Sequence, residues 1–179
     1  MKNTNSWVEK VYNFLFSDKR SAVLWLPIRL YIGWEWLIAG WDKLTSSAWT
    51  GAGAGSAVSG FLNGALDKTV GQHADVSLSY AWFINNIALP HAVFFSYLVS
   101  FGEFLIGIAL ILGIFTGVAA FFGAFMNFNY LFAGTVSSNP WLLLLQILLM
   151  MSRKIAGWIG IDYFLTKKPE TEVVKPIAQ

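Results

Sequence analysis

Apolar residues dominate two long runs of the chain, Leu24–Leu44 and Ala92–Gly113, and two shorter runs follow them. A helix needs about 20 mostly apolar residues to cross a bilayer. The pattern therefore predicts four membrane-spanning helices, at about 22–44, 92–113, 118–136 and 140–160. We predict an all-α four-helix membrane bundle that forms one domain over residues 1–179.

The loop between the first two predicted spans, 45–90, is too long to be a simple connection. Within it Val58, Leu62 and Leu66 recur at helical spacing, which predicts a short amphipathic helix. Such a helix is expected to lie on the membrane surface as a cap over the bundle. The segment from Trp7 to Leu15 has a similar pattern and predicts a second interfacial helix.

The fourth apolar run is interrupted by Ser152-Arg153-Lys154 before it resumes at Ile155. Either the helix ends at Arg153 and the rest lies in the interface, or it continues and the two cations extend to the headgroups. We favour the first arrangement.

Basic residues cluster at the two ends of the chain and are scarce between the predicted spans. Because cytoplasmic segments carry the excess of lysine and arginine, we predict cytoplasmic N- and C-termini, an external 45–90 loop and a plasma-membrane location. The terminal cations are Lys2, Lys10, Lys19, Arg20, Arg153, Lys154, Lys167, Lys168 and Lys175.

The composition agrees with a membrane protein, since 56% of the residues are hydrophobic and only 12% are charged. The chain has no cysteine, which excludes thiolate-bound metal clusters and thiol nucleophiles. A net charge of +2 does not indicate nucleic-acid binding. His73 lies in the outer loop and His91 opens the second span, so the chain offers no histidine pair for haem at membrane depth. We expect no metal or haem.

Ionisable residues within the apolar runs are the main candidates for a functional site, because a charge in hydrocarbon is costly. Arg29 and Glu35 lie in the first run and Glu103 lies in the second. Counting helical rise places Glu35 and Glu103 near mid-membrane, together with Asn127 and Gln146. We predict a polar layer to which all four helices contribute, with Arg29 paired to Glu103. Trp36 and Tyr130 share faces with these groups. The alternative is that the amides only hold the helices together.

Four stretches of the chain together resemble the DoxX/DoxD family of small membrane proteins, in the same order along the chain. They are RLYIGWEWLIAGWDKL at 29–44, GEFLIGIALILG at 102–113, AGTVSSNP at 133–140 and GWIGID at 157–162. The chain departs from the family pattern at one place: before the tail, where the family has Asn-Ala-Gly, this chain has Arg153-Lys154-Ile155-Ala156-Gly157.

The resemblance implies a four-helix bundle, and its DoxD branch implies the large subunit of a thiosulfate:quinone oxidoreductase that works beside a small partner subunit. In that function Arg29 and Glu103 are the expected catalytic pair, with Glu103 relaying protons. Trp36, Asn127 and Tyr130 are expected to bind the quinone, and Lys43 and His91 to bind thiosulfate, with Lys68 as a further cation. No residue of the chain itself can carry electrons.

Two other functions remain open. The chain could be a non-enzymatic anchor that recruits a soluble redox or detoxification enzyme through its outer loop and basic tails. It could also oligomerise into a small-molecule or proton conduit, although no inverted repeat is evident.

Overall fold

The computed structural model describes residues 6–71 and 74–166, and helices joined by short turns make up this part of the chain. The predicted all-α fold is confirmed. Lys2, His73, Lys167, Lys168 and Lys175 lie outside the described residues. The helices are α1 (Trp7–Ser17), α2 (Ala22–Leu44), α3 (Ser47–Thr50), α4 (Ser56–Leu66), α5 (Leu78–Phe83), α6 (Ala92–Leu112), α7 (Thr116–Phe132), α8 (Asn139–Met151), α9 (Arg153–Ala156) and α10 (Asp162–Thr166).

The four longest helices, α2, α6, α7 and α8, form an antiparallel bundle. The segments Lys19–Leu44 and Ala92–Leu112 are long and apolar enough to cross a membrane. The fourth helix differs from the predicted 140–160, because α8 ends at Met151 and the backbone turns at Ser152 before the short α9. The arrangement in which the helix ends next to Arg153 is the one observed.

Helices α2 and α6 pack against each other at backbone distance because glycines line their contact. A Cβ on Gly40 would overlap the backbone of Phe104, and a Cβ on Gly107 would overlap the backbone of Leu37. Small residues allow such close approach of helices in membranes, where lipid supplies no hydrophobic drive for association. This contact fixes the axial register of the two helices.

The bundle exposes large apolar side chains on its outer surface, and its mainly apolar interior also holds a few buried charged and amide groups. Large side chains such as Trp34, Leu105 and Phe125 are more than half exposed. Arg29 and Glu103 are at most 2% exposed. Since backbone and charged groups must find partners inside a membrane protein, this distribution agrees with an all-α membrane protein.

The described residues of the segment between α2 and α6, 45–71 and 74–91, cover one end of the bundle, and we call them the cap. Its predicted amphipathic helix is present as α4, which buries Val58, Leu62 and Ala65. Hydrogen bonds hold the cap to the bundle. They are Ser96 Oγ to the carbonyl of Trp49 (2.6 Å), Tyr97 Oη to the carbonyl of Thr50 (2.8 Å) and Lys68 Nζ to the carbonyl of Gly134 (2.8 Å).

The opposite end of the bundle carries α1, α9 and α10, and we call it the terminal end. The helix predicted near the N-terminus is present as α1, which buries none of its residues. Trp25 Nε1 donates a hydrogen bond to the carbonyl of Leu15 (2.8 Å) and so ties the end of α1 to α2.

Candidate functional site

Three side chains from three helices meet in the half of the bundle beneath the cap. Lys43 Nζ lies 2.6 Å from Glu103 Oε2, and Tyr130 Oη donates a 2.5 Å hydrogen bond to Glu103 Oε1. The side chain of Glu103 is 2% exposed and that of Lys43 is 21% exposed. We call these three residues the Glu103 cluster. It connects a buried carboxylate to a cation that reaches the edge of the cap.

Local structure explains why Lys43 can reach so far into the bundle. It lies in the last turn of α2, one turn beyond Gly40, where α2 and α6 are closest. Its ammonium group also donates to the carbonyl of Ala39 at 3.3 Å and lies 5.1 Å from the ring of Trp49 in the cap. A cation at this distance from a tryptophan ring is attracted by its π face.

A second polar group lies about one turn deeper. Asn127 Nδ2 donates to Gln146 Oε1 at 2.6 Å, and both residues are fully buried. Trp36 Nε1 and Gln146 Nε2 both approach the space where a Cβ of Gly123 would lie. Among the described residues neither nitrogen has a hydrogen-bond partner, and Asn127 Oδ1 has none either. We call Trp36, Asn127 and Gln146 the amide group.

The two groups are neighbours because Asn127 and Tyr130 are three residues apart on α7 and so share one face of that helix. The cap closes this region from above. The Phe61 ring meets the Tyr130 ring edge-on at 6.0 Å, and Tyr80 Oη donates to the carbonyl of Asn129 at 3.0 Å. Burial raises the pKa of Tyr80 to about 12, so it remains a hydrogen-bond donor at neutral pH.

The predicted pairing of Arg29 with Glu103 is wrong. Arg29 lies fourteen residues before Lys43 on α2, which places it about 21 Å further along the helix axis. There it donates to the carbonyl of Ala156 through Nη1 (3.1 Å) and to that of Ile159 through Nη2 (2.7 Å). Lys43 takes the place beside Glu103 instead. The predicted catalytic pair is therefore split between the two ends of the bundle.

Arg29 and Asp162 together hold the segment after α8 against the bundle. Asp162 accepts hydrogen bonds from the backbone amides of Phe115 (2.7 Å) and Thr116 (2.9 Å) at the start of α7. A carboxylate at this place satisfies free amides of the first helical turn and complements the helix dipole. The GWIGID stretch thus has a structural role at the terminal end.

Substituting Arg29 with methionine is expected to loosen this segment. One buried and one partly buried carbonyl would lose their donor, at a cost of about 2 kcal/mol, so amides in 153–162 should exchange with deuterium roughly thirtyfold faster. Hydrogen–deuterium exchange of the detergent-solubilised protein measures this. The control is Arg20→Met, because Arg20 is exposed and pairs only with Asp18 at the surface. Unchanged exchange in the Arg29 variant would contradict the assigned role.

The remaining predicted site residues lie apart from both groups. His91 is exposed at the start of α6, where its Nδ1 lies 2.9 Å from the carbonyl of Ile87. It is about 15 Å along the bundle axis from the level of Lys43. Lys68 is engaged with Gly134, and Glu35 is half-buried on α2. Within residues 6–71 and 74–166, no three metal-binding side chains of the His, Asp or Glu type come together.

The family comparison concerns the part of the chain that contains most of these residues. The DoxX family model matches residues 24–135, which is more than half of the chain and includes Lys43, Glu103, Asn127 and Tyr130. The chain belongs to the DoxX family. Searches of curated proteins and of solved structures found no match. DoxX membership makes this a membrane protein of the DoxX/DoxD type, in contact with the lipid bilayer.

Several contacts of this site were not predicted from the sequence. Lys43 was assigned to thiosulfate, although it forms the ion pair with Glu103. Trp49 and Tyr80 were not connected with the site, because long-range contacts of a cap leave no periodic signal in the sequence. The partner of Lys43 could have been predicted from the glycines, since Gly40 and Gly107 lie where α2 and α6 are in contact.

Proposed function

We propose that this DoxX protein is the membrane subunit of a quinone-linked oxidoreductase, with the quinone headgroup between the amide group and the Glu103 cluster. One observation carries the proposal. Two buried N–H donors, on Trp36 and Gln146, both lie close to Gly123 and have no acceptor among the described residues. An unsatisfied buried donor costs about 1–3 kcal/mol, so a ligand carbonyl that accepted hydrogen bonds from both nitrogens would remove two such costs.

The neighbouring residues have the chemistry that the quinone requires. A bound quinone accepts two electrons and two protons. Asn127 Oδ1 is a free acceptor that suits the hydroxyl of the reduced form. Tyr130 and Glu103 hold a proton in a short hydrogen bond, and Lys43 balances the carboxylate charge. Because Lys43 reaches the cap, protons can enter the cluster from that end of the bundle.

Thiosulfate is the electron donor that the family resemblance favours. Two thiosulfate ions joined by a new S–S bond give tetrathionate and release two electrons, which balances one quinone. The charge of Lys43 is neutralised by Glu103, and His91 is far from it, so these residues do not form a joint anion site. We therefore assign thiosulfate binding to a small partner subunit that docks at the capped end.

Quinone binding is expected to depend on the donors over Gly123. Purified protein should retain a native quinone through detergent solubilisation, and Trp36→Phe should lower the retained amount about tenfold, because loss of one buried hydrogen bond costs roughly 1.4 kcal/mol. Solvent extraction followed by chromatography measures the quinone. Trp34→Phe is the matched control, since Trp34 faces outwards on the same helix and is 57% exposed.

A closed amide network is the competing arrangement, and it supports the anchor function. If the side-chain amides of Asn127 and Gln146 were both rotated by 180°, Gln146 Oε1 would face Trp36 Nε1. The bond between the two amides would then run from Gln146 Nε2 to Asn127 Oδ1. Then fewer donors would be free and no ligand would be needed. Absence of quinone from wild-type protein, together with a lower stability of Trp36→Phe because it would lose the bond to Gln146, would favour an anchor that recruits a soluble redox enzyme.

A further inference from the structure

A second concave surface lies at the terminal end, away from the Glu103 cluster. A groove of about 540 Å³ runs between the start of α7 and the α8–α9 turn. Its floor is formed by the apolar parts of Phe121, Met150 and Trp158, and its rim carries Arg153 and Lys154. The proposed quinone site does not use any of these residues.

The rim of the groove is basic and partly fixed in place. Arg153 and Lys154 are both exposed. The stem of Arg153 lies on Gly117, where an added Cβ would come within 2.9 Å of the Arg153 Cβ. Lys19 Nζ lies 4.0 Å from the centre of the Trp158 ring and adds a third cation to the same end. Two cations therefore line the groove, and a third lies against the ring of Trp158, which also lines it.

Asp162 is the acidic residue that lines the groove, and its carboxylate forms no ion pair with Arg153 or Lys154. The carboxylate of Asp162 is engaged by two backbone amides, and it also faces Arg29. Thr116 also lines the groove, but its hydroxyl is fully buried. An anionic group entering the groove would thus meet the exposed cations Arg153 and Lys154.

The outer face of α7 continues the groove along the bundle. Val118, Phe121 and Phe125 are each at least half exposed and follow one another at helical spacing. This stripe faces outwards from the bundle, where lipid chains would lie. The surface thus combines a basic hollow near the membrane interface with an apolar track that leads from it.

We propose that this groove binds one anionic phospholipid, with the phosphate between Arg153 and Lys154 and an acyl chain along Val118 and Phe121. Basic pockets between membrane helices are suited to such headgroups, because each cation near the surface attracts anionic lipid. The apolar track distinguishes a lipid from a free phosphate ion, which would use only the cations. The proposal is independent of the quinone site.

Native mass spectrometry of the full-length protein in detergent tests the lipid site. With phosphatidylglycerol added, wild-type protein should retain one lipid at concentrations where phosphatidylcholine is not retained. The double variant Arg153→Gln/Lys154→Gln should bind phosphatidylglycerol about 25-fold more weakly, from roughly fivefold for each cation. The control Lys10→Gln/Arg20→Gln removes the same charge from exposed positions on and beside α1 and should bind like wild type.

Three results would overturn the proposal. These are equal retention of phosphatidylcholine, an unchanged affinity of the double variant, or displacement of the lipid by millimolar inorganic phosphate. If the double variant does not fold, the single variants Arg153→Gln and Lys154→Gln decide the matter, and each should weaken binding about fivefold.

Discussion

Replacement of Lys43 by methionine is expected to lower the free energy of unfolding by about 3 kcal/mol, because it leaves Glu103 as an unpaired buried carboxylate. Methionine keeps most of the apolar stem of lysine, so the loss of stability reports the effect of the charge and not of the packing. For a chain of this size the change corresponds to a fall of roughly 10 °C in the midpoint of thermal unfolding. Thermal unfolding in detergent, followed by tryptophan fluorescence or circular dichroism, measures it.

The double variant Lys43→Met/Glu103→Gln separates pairing from packing. Once both charges are removed no buried ion remains, so the double variant should regain at least half of the loss and show strong non-additivity. The control for the single change is Lys10→Met, at an exposed position on α1. If Lys43→Met melts like wild type, or if the two single changes are additive, the ion pair does not contribute as described.

Substitution of Gly40 by alanine is the second change with a large expected effect. The new Cβ would overlap the Phe104 backbone, so α2 and α6 would have to separate along their whole contact. We expect a loss of about 3 kcal/mol, the upper part of the range for overpacked interiors. Separation would also draw Lys43 away from Glu103, so the thermal midpoint and quinone retention should fall together.

The matched control is Gly60→Ala in α4, where an added Cβ has nothing within 4 Å. Alanine is favoured over glycine inside a helix, so this change should raise stability by about 0.5–1 kcal/mol. If Gly40→Ala lowers stability and Gly60→Ala raises it, steric overlap with α6, and not helix propensity, determines the result at position 40. Tolerance of alanine at both positions would contradict the close α2–α6 contact.

The helices of this protein could be predicted from the sequence because apolar periodicity and length are local signals. The predicted 22–44 and 92–113 coincide with α2 and α6 almost to the residue. The short amphipathic helix of the cap was predicted from the spacing of Val58, Leu62 and Leu66. The end of α8 was harder, because Arg153 and Lys154 permit either a broken or a continuous helix until the packing of α9 is known.

The partners of the buried charges could not be predicted by depth alone. Counting rise placed Glu103, Asn127 and Gln146 near one level, and Asn127 does bond Gln146. The same counting put Arg29 only somewhat deeper, although the structure separates it from Glu103 and places it against the α9–α10 segment. The missing information was the axial register of α2 against α6.

That register is set by the glycine contacts. With Gly40 opposite Phe104 and Leu37 opposite Gly107, Lys43 falls opposite Phe101 and within reach of Glu103. A sequence argument that used the glycines to align the helices would have found the Lys43–Glu103 pair. The roles of Trp49, Tyr80 and Asp162 depend on contacts between distant segments, which no local pattern encodes.

Quinone reduction in membranes containing either wild-type protein or Glu103→Gln tests the central proposal most directly. Membranes keep any partner subunit in place, and thiosulfate serves as the donor and a soluble quinone analogue as the acceptor. Removing a group that transfers protons should slow turnover roughly a hundredfold at equal amounts of folded protein. The same change at Glu35, half-buried on α2 and outside the cluster, should leave the rate near wild type. Equal rates for wild type and Glu103→Gln would contradict the account.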